Sequence, residues 1–555
     1  MIQYPLTPDY IRNAPDKLAE LYLALESYIL QDICRRLKQS GSLTSTAIEQ
    51  IRILQRRGYS LKDIEAYLKK TLKLSDEEYD RVMQQAIADN QQYYSSVLNA
   101  PTLIQETFRQ AAVQQEINAI YKQTKGTLTN LTQSMGFSVN INGVRTFMPV
   151  AEAYQRVLDN AELKVWAGGQ SYSEAIRGAV KELADSGLQT VTYTTDGKTH
   201  VDQMDVAVRR AVMTGITQMG SQYSEAIREE VDTPYIEISA HRGARDKERA
   251  GIPWASHKKW QGKVYSVNRN DIYPYIYTAT GWGQVDGLEG ANCRHMHFPF
   301  WEGISERTWT DEQLKNIDPP PFTYNGRTYT AYEATQRMRQ LERMIRKTKR
   351  RLIGYDAAGD KEAYQTEAIR LNRLHTEYKD FAKKAGLREQ GRENIAEFGY
   401  KEGKKAAQTV QRVKEARFSD FVTIGTPIKG DAITQKRLYN ELNKSDAGRE
   451  AIKIITDLEI PVNLIYDVID DKSLRGLFLG TKIEVYASNT NSVLETAKTI
   501  IHEANHAKLD TSRQTLHEEV YCFAQEMKHT KPKLTITDLR NIIKSVHKLY
   551  TLPWR

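Results

Sequence analysis

His502-Glu503-Ala504-Asn505-His506 is the segment of this 555-residue chain whose residue types and spacing point most directly to chemistry. Histidines four apart on a helix lie on one face, one turn above the other, so both imidazoles reach a single metal ion. Glu503 stands beside the first, where a carboxylate takes the proton of a metal-bound water. That chemistry is hydrolysis, with zinc as the expected ion, His502 and His506 as ligands and Glu503 as catalytic base. A catalytic zinc takes a third protein ligand and keeps one position open. The segment His517–Glu526 reads as a second helix able to supply it. Glu519 is preferred over Glu518, because one turn beyond Glu519 lies the small Cys522, whereas Glu518 would bring the bulky Tyr521 beside the metal; Glu518 remains the alternative.

Several elements must position these groups. Val493, Ala497, Ile500, Ala504 and Ala507 recur at spacings of four and three and predict one buried side of the metal-bearing helix. Asn489 to Ser492 offers residues for its N-terminal cap, and Thr481 to Ala487 alternates as a half-buried strand before it. The strand through Ile483 and Val485 is expected to pair with an extended substrate. Residues 417–555 thus resemble the gluzincin-type metallopeptidases, including the ImmA/IrrE-like group, in which a Glu on a following helix completes the site. The resemblance implies a zincin-like α+β domain, a Zn2+ cofactor, a peptide substrate and Glu519 as third ligand. The longer metzincin signature is not met, since Leu509 and Ser512 stand where its Gly and third His would be. No oxyanion donor is assigned, with Tyr521 and His517 the polar neighbours in sequence.

Composition bounds the rest. The length implies several domains, and a hydrophobic fraction of 40% suffices for ordinary cores. The first residues lack a basic stretch followed by an apolar one, and no run is long enough to span a bilayer, so no secretory leader or membrane span is expected. Cys34, Cys293 and Cys522 are isolated, which excludes a disulfide framework and suits a reducing compartment. A net charge of +8 permits nucleic-acid contact without requiring it.

Along the chain, residues 1–125 read as a helical region, with a stripe of Leu18, Leu21, Leu25 and Ile29, a helix end at Gly58, and capping patterns at Ser60-x-x-Asp63 and Ser75-x-x-Glu78. Residues 126–230 mix hairpins, at Phe137–Gly143 and Thr192–Gly197, with a helix from about 202 to 230. Residues 231–328 form a loop-rich α+β module, with strands at Tyr235–Ser239 and Lys263–Val267. Residues 329–390 form an antiparallel helical hairpin, its seam made by Met338, Leu341, Ile345 and Leu352 against Leu371, Leu374, Tyr378 and Phe381, with a turn at Gly354–Asp360. Residues 391–416 read as a linker, with Gly391, Gly399 and Gly403 giving a flexible join. The fold class is therefore multi-domain α+β.

The central module carries Ser239-Ala-His-Arg-Gly-Ala-Arg245, His257-Lys-Lys-Trp-Gln-Gly-Lys-Val-Tyr-Ser266, Gly287-Leu-Glu-Gly-Ala-Asn-Cys-Arg-His295 and Pro299-Phe-Trp-Glu-Gly303. These motifs resemble the phage minor capsid protein 2 family, a relative of the Mu F-like head-morphogenesis proteins, and the likeness extends over about residues 1–400. It implies a structural virion protein that meets the portal and other head proteins. A C-terminal peptidase on such a protein would act on head proteins or be delivered to host proteins. The run Arg337, Arg339, Arg343, Arg346, Lys347, Lys349, Arg350 and Arg351 offers a contact for packaged DNA, weighed against a solvated or partner-facing helix surface. His241, His257, Cys293, His295 and His297 also gather in this module. A second metal site is weighed here, and the preferred reading is histidines and Arg294 bonded to loop carbonyls around a core of Trp254, Trp260 and Trp282, because no paired CxxC or HxxxH supports a ligand set.

Overall fold

The computed structural model describes residues 6–40, 47–166, 170–195, 198–269, 271–387, 400–427, 433–467, 469–509 and 515–552. The chain divides into two units, Met1–Ala407 and Gln408–Arg555. Unit 1 begins with α1 (Pro8–Asn13), α2 (Asp16–Ser40), α3 (Ala47–Val97), α4 (Pro101–Arg109) and α5 (Ala111–Gln133). Leu18, Leu25 and Ile29 bury the expected stripe of α2, with Leu21 half-buried. The expected helix end at Gly58 is not found, and both capping patterns lie inside α3. Tertiary partners from α2 explain the difference for the second: Ser75 Oγ meets the Tyr22 hydroxyl at 3.1 Å, and Glu78 is bound by Lys17 as well as by Arg81 one turn along α3.

The Asn-Gly dipeptide closes a hairpin between β1 (Met135–Ile141) and β2 (Val144–Pro149), with Ile141 opposite Val144. Asn142 and Gly143 both have positive φ, 50° and 87°, the requirement of a type I′ turn. After α6 (Val150–Trp166) and α7 (Tyr172–Ser186) comes the second hairpin, β3 (Gln189–Thr195) with β4 (Lys198–Gln203), whose Asp196-Gly197 turn lies outside the described residues. The four strands form one sheet in the order β2-β1-β3-β4, and α8 (Met204–Glu230) follows.

The loop-rich module is built on β5 (Tyr235–Ile238), β6 (Val264–Ser266) and β7 (His297–Phe300), in the order β6-β5-β7, with the short α9 (Ile276–Thr280) between. Its core contains Ile236, Ile238, Trp260, Tyr265, Ile276, Leu288 and Cys293, with Trp254 and Trp282 packed against it. Residues Cys293 to Met296 are loop and not strand, so strand periodicity does not set where Cys293 and His295 point. Next come α10 (Asp311–Lys315) and the pair β8 (Phe322–Tyr324) and β9 (Arg327–Tyr329), followed by the helical hairpin α11 (Ala331–Ala358) and α12 (Lys361–Lys384).

All eight expected seam residues of the hairpin are buried. The turn is shorter than expected, because Gly359 takes a left-handed cap and Asp360 already caps α12. Gly354 sits inside α11, where an added Cβ would lie 2.5 Å from Val180 and 3.3 Å from Cys34 Sγ; it serves helix approach rather than the turn. The basic run is spent internally. Arg337 pairs with Glu377, Arg346 with Asp205, Lys347 with Asp185, Arg350 with Glu26, and Arg351 with Asp185 and Glu367. Lys349 is buried, while Arg339 and Arg343 are exposed. The expected DNA contact through Arg337–Arg351 loses its basis, since burial of these side chains requires acidic partners and leaves few guanidinium groups for phosphates.

The expected linker is helical in its described part: α13 (Tyr400–Asp420) includes Gly403, while Gly391 and Gly399 lie outside the described residues. Unit 2 continues with β10 (Val422–Ile424), α14 (Gln435–Leu442), α15 (Asp446–Asp457), β11 (Val462–Ile465), β12 (Gly476–Phe478), β13 (Ile483–Tyr486), α16 (Ala487–Thr490), α17 (Val493–Leu509), α18 (Leu516–Lys528) and α19 (Ile536–Leu549). Its sheet has the order β10-β11-β13-β12, parallel except for the antiparallel edge strand β12. The expectation that the Ile483–Val485 strand receives a substrate is corrected here, because β13 is hydrogen-bonded on both sides, to β11 and to β12. Val462, Leu464, Ile483 and Val485 pack against Ala497, Ile500, Ile501 and Ala504 of α17, so the expected helix face is the buried one.

Candidate metal centre

Ser492 starts α17, its Oγ accepting the Glu495 amide at 3.1 Å, and from this cap the helix runs about two and a half turns to His502. The face opposite the sheet turns His502 and His506 toward α18. That helix is capped by Thr515 and Glu518 in a reciprocal box: Thr515 Oγ1 accepts the Glu518 amide at 3.3 Å, and Glu518 Oε2 accepts the Thr515 amide at 3.0 Å. Glu518 is therefore held at the helix start, and Glu519, next along the chain, faces the imidazoles. Side-chain size favours Glu519 in the sequence, and the capping box visible in Thr515-x-x-Glu518 is the more direct discriminator.

The three groups converge. His502 Nε2 and His506 Nε2 are 3.1 Å apart, His502 Nε2 is 3.4 Å from Glu519 Oε2, and His506 Nε2 is 3.4 Å from Glu519 Oε1. Zinc bonds to nitrogen and oxygen of about 2.0–2.2 Å at tetrahedral angles set ligand atoms roughly 3.3–3.6 Å apart. The donor set therefore fits zinc in type and in spacing. Glu519 Oε2 is buried, with the His502 Nε2 3.4 Å away, a position that a bound cation would also satisfy. On the far side of His502, Glu526 Oε2 stands 3.5 Å from Nδ1, and the Phe523 ring packs edge-on at 4.5 Å. A carboxylate behind a ligating imidazole fixes ring orientation and strengthens the donor. Glu526 was not singled out from sequence, although its spacing of seven from Glu519 puts both on one face of α18.

Charge in this site is tightly coupled. Burial alone would lower His502, but Glu519 and Glu526 raise it to about 9, whereas burial and the neighbouring His502 lower His506. One imidazole thus holds a proton that metal binding would displace. Burial raises Glu503 to about 7, against the pull of His502 and of the Phe478 amide, which donates to its carboxylate. A carboxyl near this range is matched to taking and returning protons close to neutrality. The Phe478 bond also ties Glu503 to the edge strand β12. An added Cβ on Gly476 would lie 2.5 Å from Thr499 Cγ2 and 3.3 Å from Glu503 Cγ, so this glycine lets β12 approach α17. His517 is exposed, and the phenol beside the site is Tyr550, whose hydroxyl is raised by burial and by Glu519 and Glu503. Neither Tyr550 nor Gly476 carries a sequence signal, because both are brought in by tertiary packing.

Among the described residues, no helix is long and apolar enough to cross a membrane. The family model for phage minor capsid protein 2 matches residues 6–383, which covers most of unit 1 and leaves the candidate centre outside it. A structural protein of Lactococcus phage LL-H is 25% identical over 218 residues, covering 38% of this chain and 53% of the relative. A structural protein of Lactococcus phage mv4 is 34% identical over 103 residues, covering 18% of this chain and 74% of the relative. The chain thus spans about half the length of the LL-H protein. No solved structure matches. With the loop-rich module, its hairpin and the helices before them all inside one match of well over half the chain, this protein belongs to the phage minor capsid protein 2 family.

Proposed function

We propose that this protein is a structural component of the phage head whose C-terminal unit is a zinc-dependent peptidase. The head role is supported by the family membership and by two relatives named as structural proteins of phages. In this reading the protein resides in the virion, and its partners are other head proteins, the portal among them.

The peptidase reading is carried by the mutual 3.1–3.4 Å spacing of His502 Nε2, His506 Nε2 and the Glu519 carboxylate, with Glu503 beside them. These three residues would hold zinc, which when bound polarises a water and a peptide carbonyl. Glu503 takes the proton of the attacking water and returns it to the leaving nitrogen, steadied by the Phe478 amide. The outer edge of β12 is the place where an extended peptide adds as a further strand, with Leu477 and Leu479 exposed there to meet apolar side chains.

The test measures zinc and turnover on the full chain. His502→Ala with His506→Ala is expected to lose about one equivalent of zinc relative to wild type. Glu503→Gln is expected to keep its zinc and lose peptide cleavage by roughly 100-fold or more. Unchanged zinc in the double variant would overturn the site, and zinc without any cleavage across a peptide library would leave a metal-stabilised structural unit.

A further inference from the structure

A second group of ligand-type side chains lies in the loop-rich module, far from the HExxH helix in sequence. One ligand atom each from His257, Cys293 and His295 falls within 4.8 Å of the others, and all three residues are buried. Cys293 Sγ is 3.5 Å from His295 Nδ1 and 3.8 Å from His257 Nδ1. A tetrahedral zinc with bonds of about 2.3 Å to sulfur and about 2.0–2.1 Å to nitrogen sets these atoms roughly 3.6 Å apart.

The tautomers follow from the outer hydrogen bonds. His257 Nε2 lies 3.0 Å from the Asp286 carbonyl oxygen, which only accepts, so Nε2 carries the proton. His295 Nε2 lies 3.1 Å from Gln261 Oε1, and that same oxygen accepts the His241 backbone N–H at 3.1 Å. The backbone donor fixes the amide orientation, so His295 Nε2 is also a donor. Both Nδ1 atoms are therefore lone-pair acceptors aimed at one sulfur. A thiol has a single proton, and in a dry core it satisfies one of the two, leaving the other imidazole without a donor. A cation bound to a thiolate satisfies all three atoms. The amides of His295 and Glu289 already point at the sulfur, as they would at a thiolate.

The local backbone is built to close this group. Asn292, just before the cysteine, has φ of 61°, and Gly290 has no room for a side chain, since an added Cβ would lie 2.4 Å from the Val285 oxygen. His241, the other histidine nearby, is not part of the ligand set: its ring stacks on His295 at 4.4 Å, and its Nδ1 lies 3.0 Å from the Arg242 carbonyl oxygen. His297 is likewise occupied, between Glu225 and Glu289.

We propose that His257, Cys293 and His295 form a zinc site that staples the 281–295 loop to the segment around His257 and so holds the head module together. Two imidazoles and one thiolate suit zinc among the common divalent ions. Three protein ligands leave the fourth position to water, and because all three residues are buried the role assigned is to hold the loop and not to act on a substrate. This site stands independently of the peptidase reading.

The experiment uses the full chain bearing His502→Ala and His506→Ala, so that metal held by the C-terminal unit does not contribute. It is expected to retain about one equivalent of zinc after exhaustive dialysis. Replacing that zinc with cobalt(II) is expected to give the near-ultraviolet band of a cobalt–thiolate bond, and adding Cys293→Ser to abolish the band and the stoichiometric metal. Because a serine here could unfold the module, His257→Cys serves as the second variant: a second thiolate should keep the metal and roughly double that band. A well-folded chain with no metal, cobalt bound without the thiolate band, or a band unmoved by His257→Cys would each overturn the site.

Discussion

Adjacent glutamates at the start of α18 divide two tasks between them. Glu518 closes the capping box with Thr515, and Glu519 faces His502 and His506. Glu518→Ala is expected to lower stability by about 1 kcal/mol through the lost cap while leaving zinc content intact. Glu519→Ala is expected to weaken zinc by at least 10-fold, read by competition with a chelator; the opposite ranking would make Glu518 the ligand. A different residue-scale effect belongs to Glu225. Burial alone would raise its carboxyl, but His297 and Arg228 hold it down to about 2. Its folded value lies below its ordinary one, so its contribution is fully present above about pH 4.5 and is lost as pH falls toward 2. Glu225→Gln is expected to cost about 3 kcal/mol near neutrality and to flatten the acid limb of stability between those pH values. Denaturant unfolding as a function of pH measures both, and an unchanged limb would show that His297 is held by Glu289 alone.

At the scale of elements, the candidate centre depends on how closely β12 lies against α17. Gly476→Val would place methyl carbons where Thr499 Cγ2 already sits, 2.5 Å from an added Cβ. The expected result is a loss of about 1–3 kcal/mol, with zinc retained and cleavage lost, because the histidines stay on α17 while the Phe478 amide leaves Glu503. Loss of zinc as well would mean that the strand supports the ligands themselves. Period and capping made much of this legible in sequence: the Val493 to Ala507 stripe, Ser492, and the helix carrying Glu519 are local patterns. Sheet order is not local. The antiparallel edge position fell to Gly476–Phe478, a short segment without alternation, so β13 was read as the open strand when it lies inside the sheet. The same limit affects Cys293 and His295, which no paired CxxC or HxxxH marks and which a loop backbone brings together with His257, 36 residues from Cys293 in sequence. The basic run of α11 was legible as charge, but its acidic partners, Glu26, Asp185 and Asp205, are distant in sequence and no periodicity announces them.

At the scale of the molecule, the family match ends at residue 383, within the first unit, and residues 408–555 form the second unit with apolar clusters drawn from its own residues. Cores of this kind unfold as separate cooperative blocks, so calorimetry of the full chain is expected to show two transitions. A ligand that binds only the folded state, present near 1,000 times its dissociation constant, adds about 4 kcal/mol to the block that holds it, or roughly 10 °C for a unit the size of the second. His502→Ala with His506→Ala is therefore expected to lower one transition by about that amount and leave the other in place. Cys293→Ser is expected to do the reverse, by fewer degrees because the first unit is larger. A single transition moved by either set of substitutions would mean that the two units share one folding block, and the C-terminal unit would then be part of the head protein's own stability.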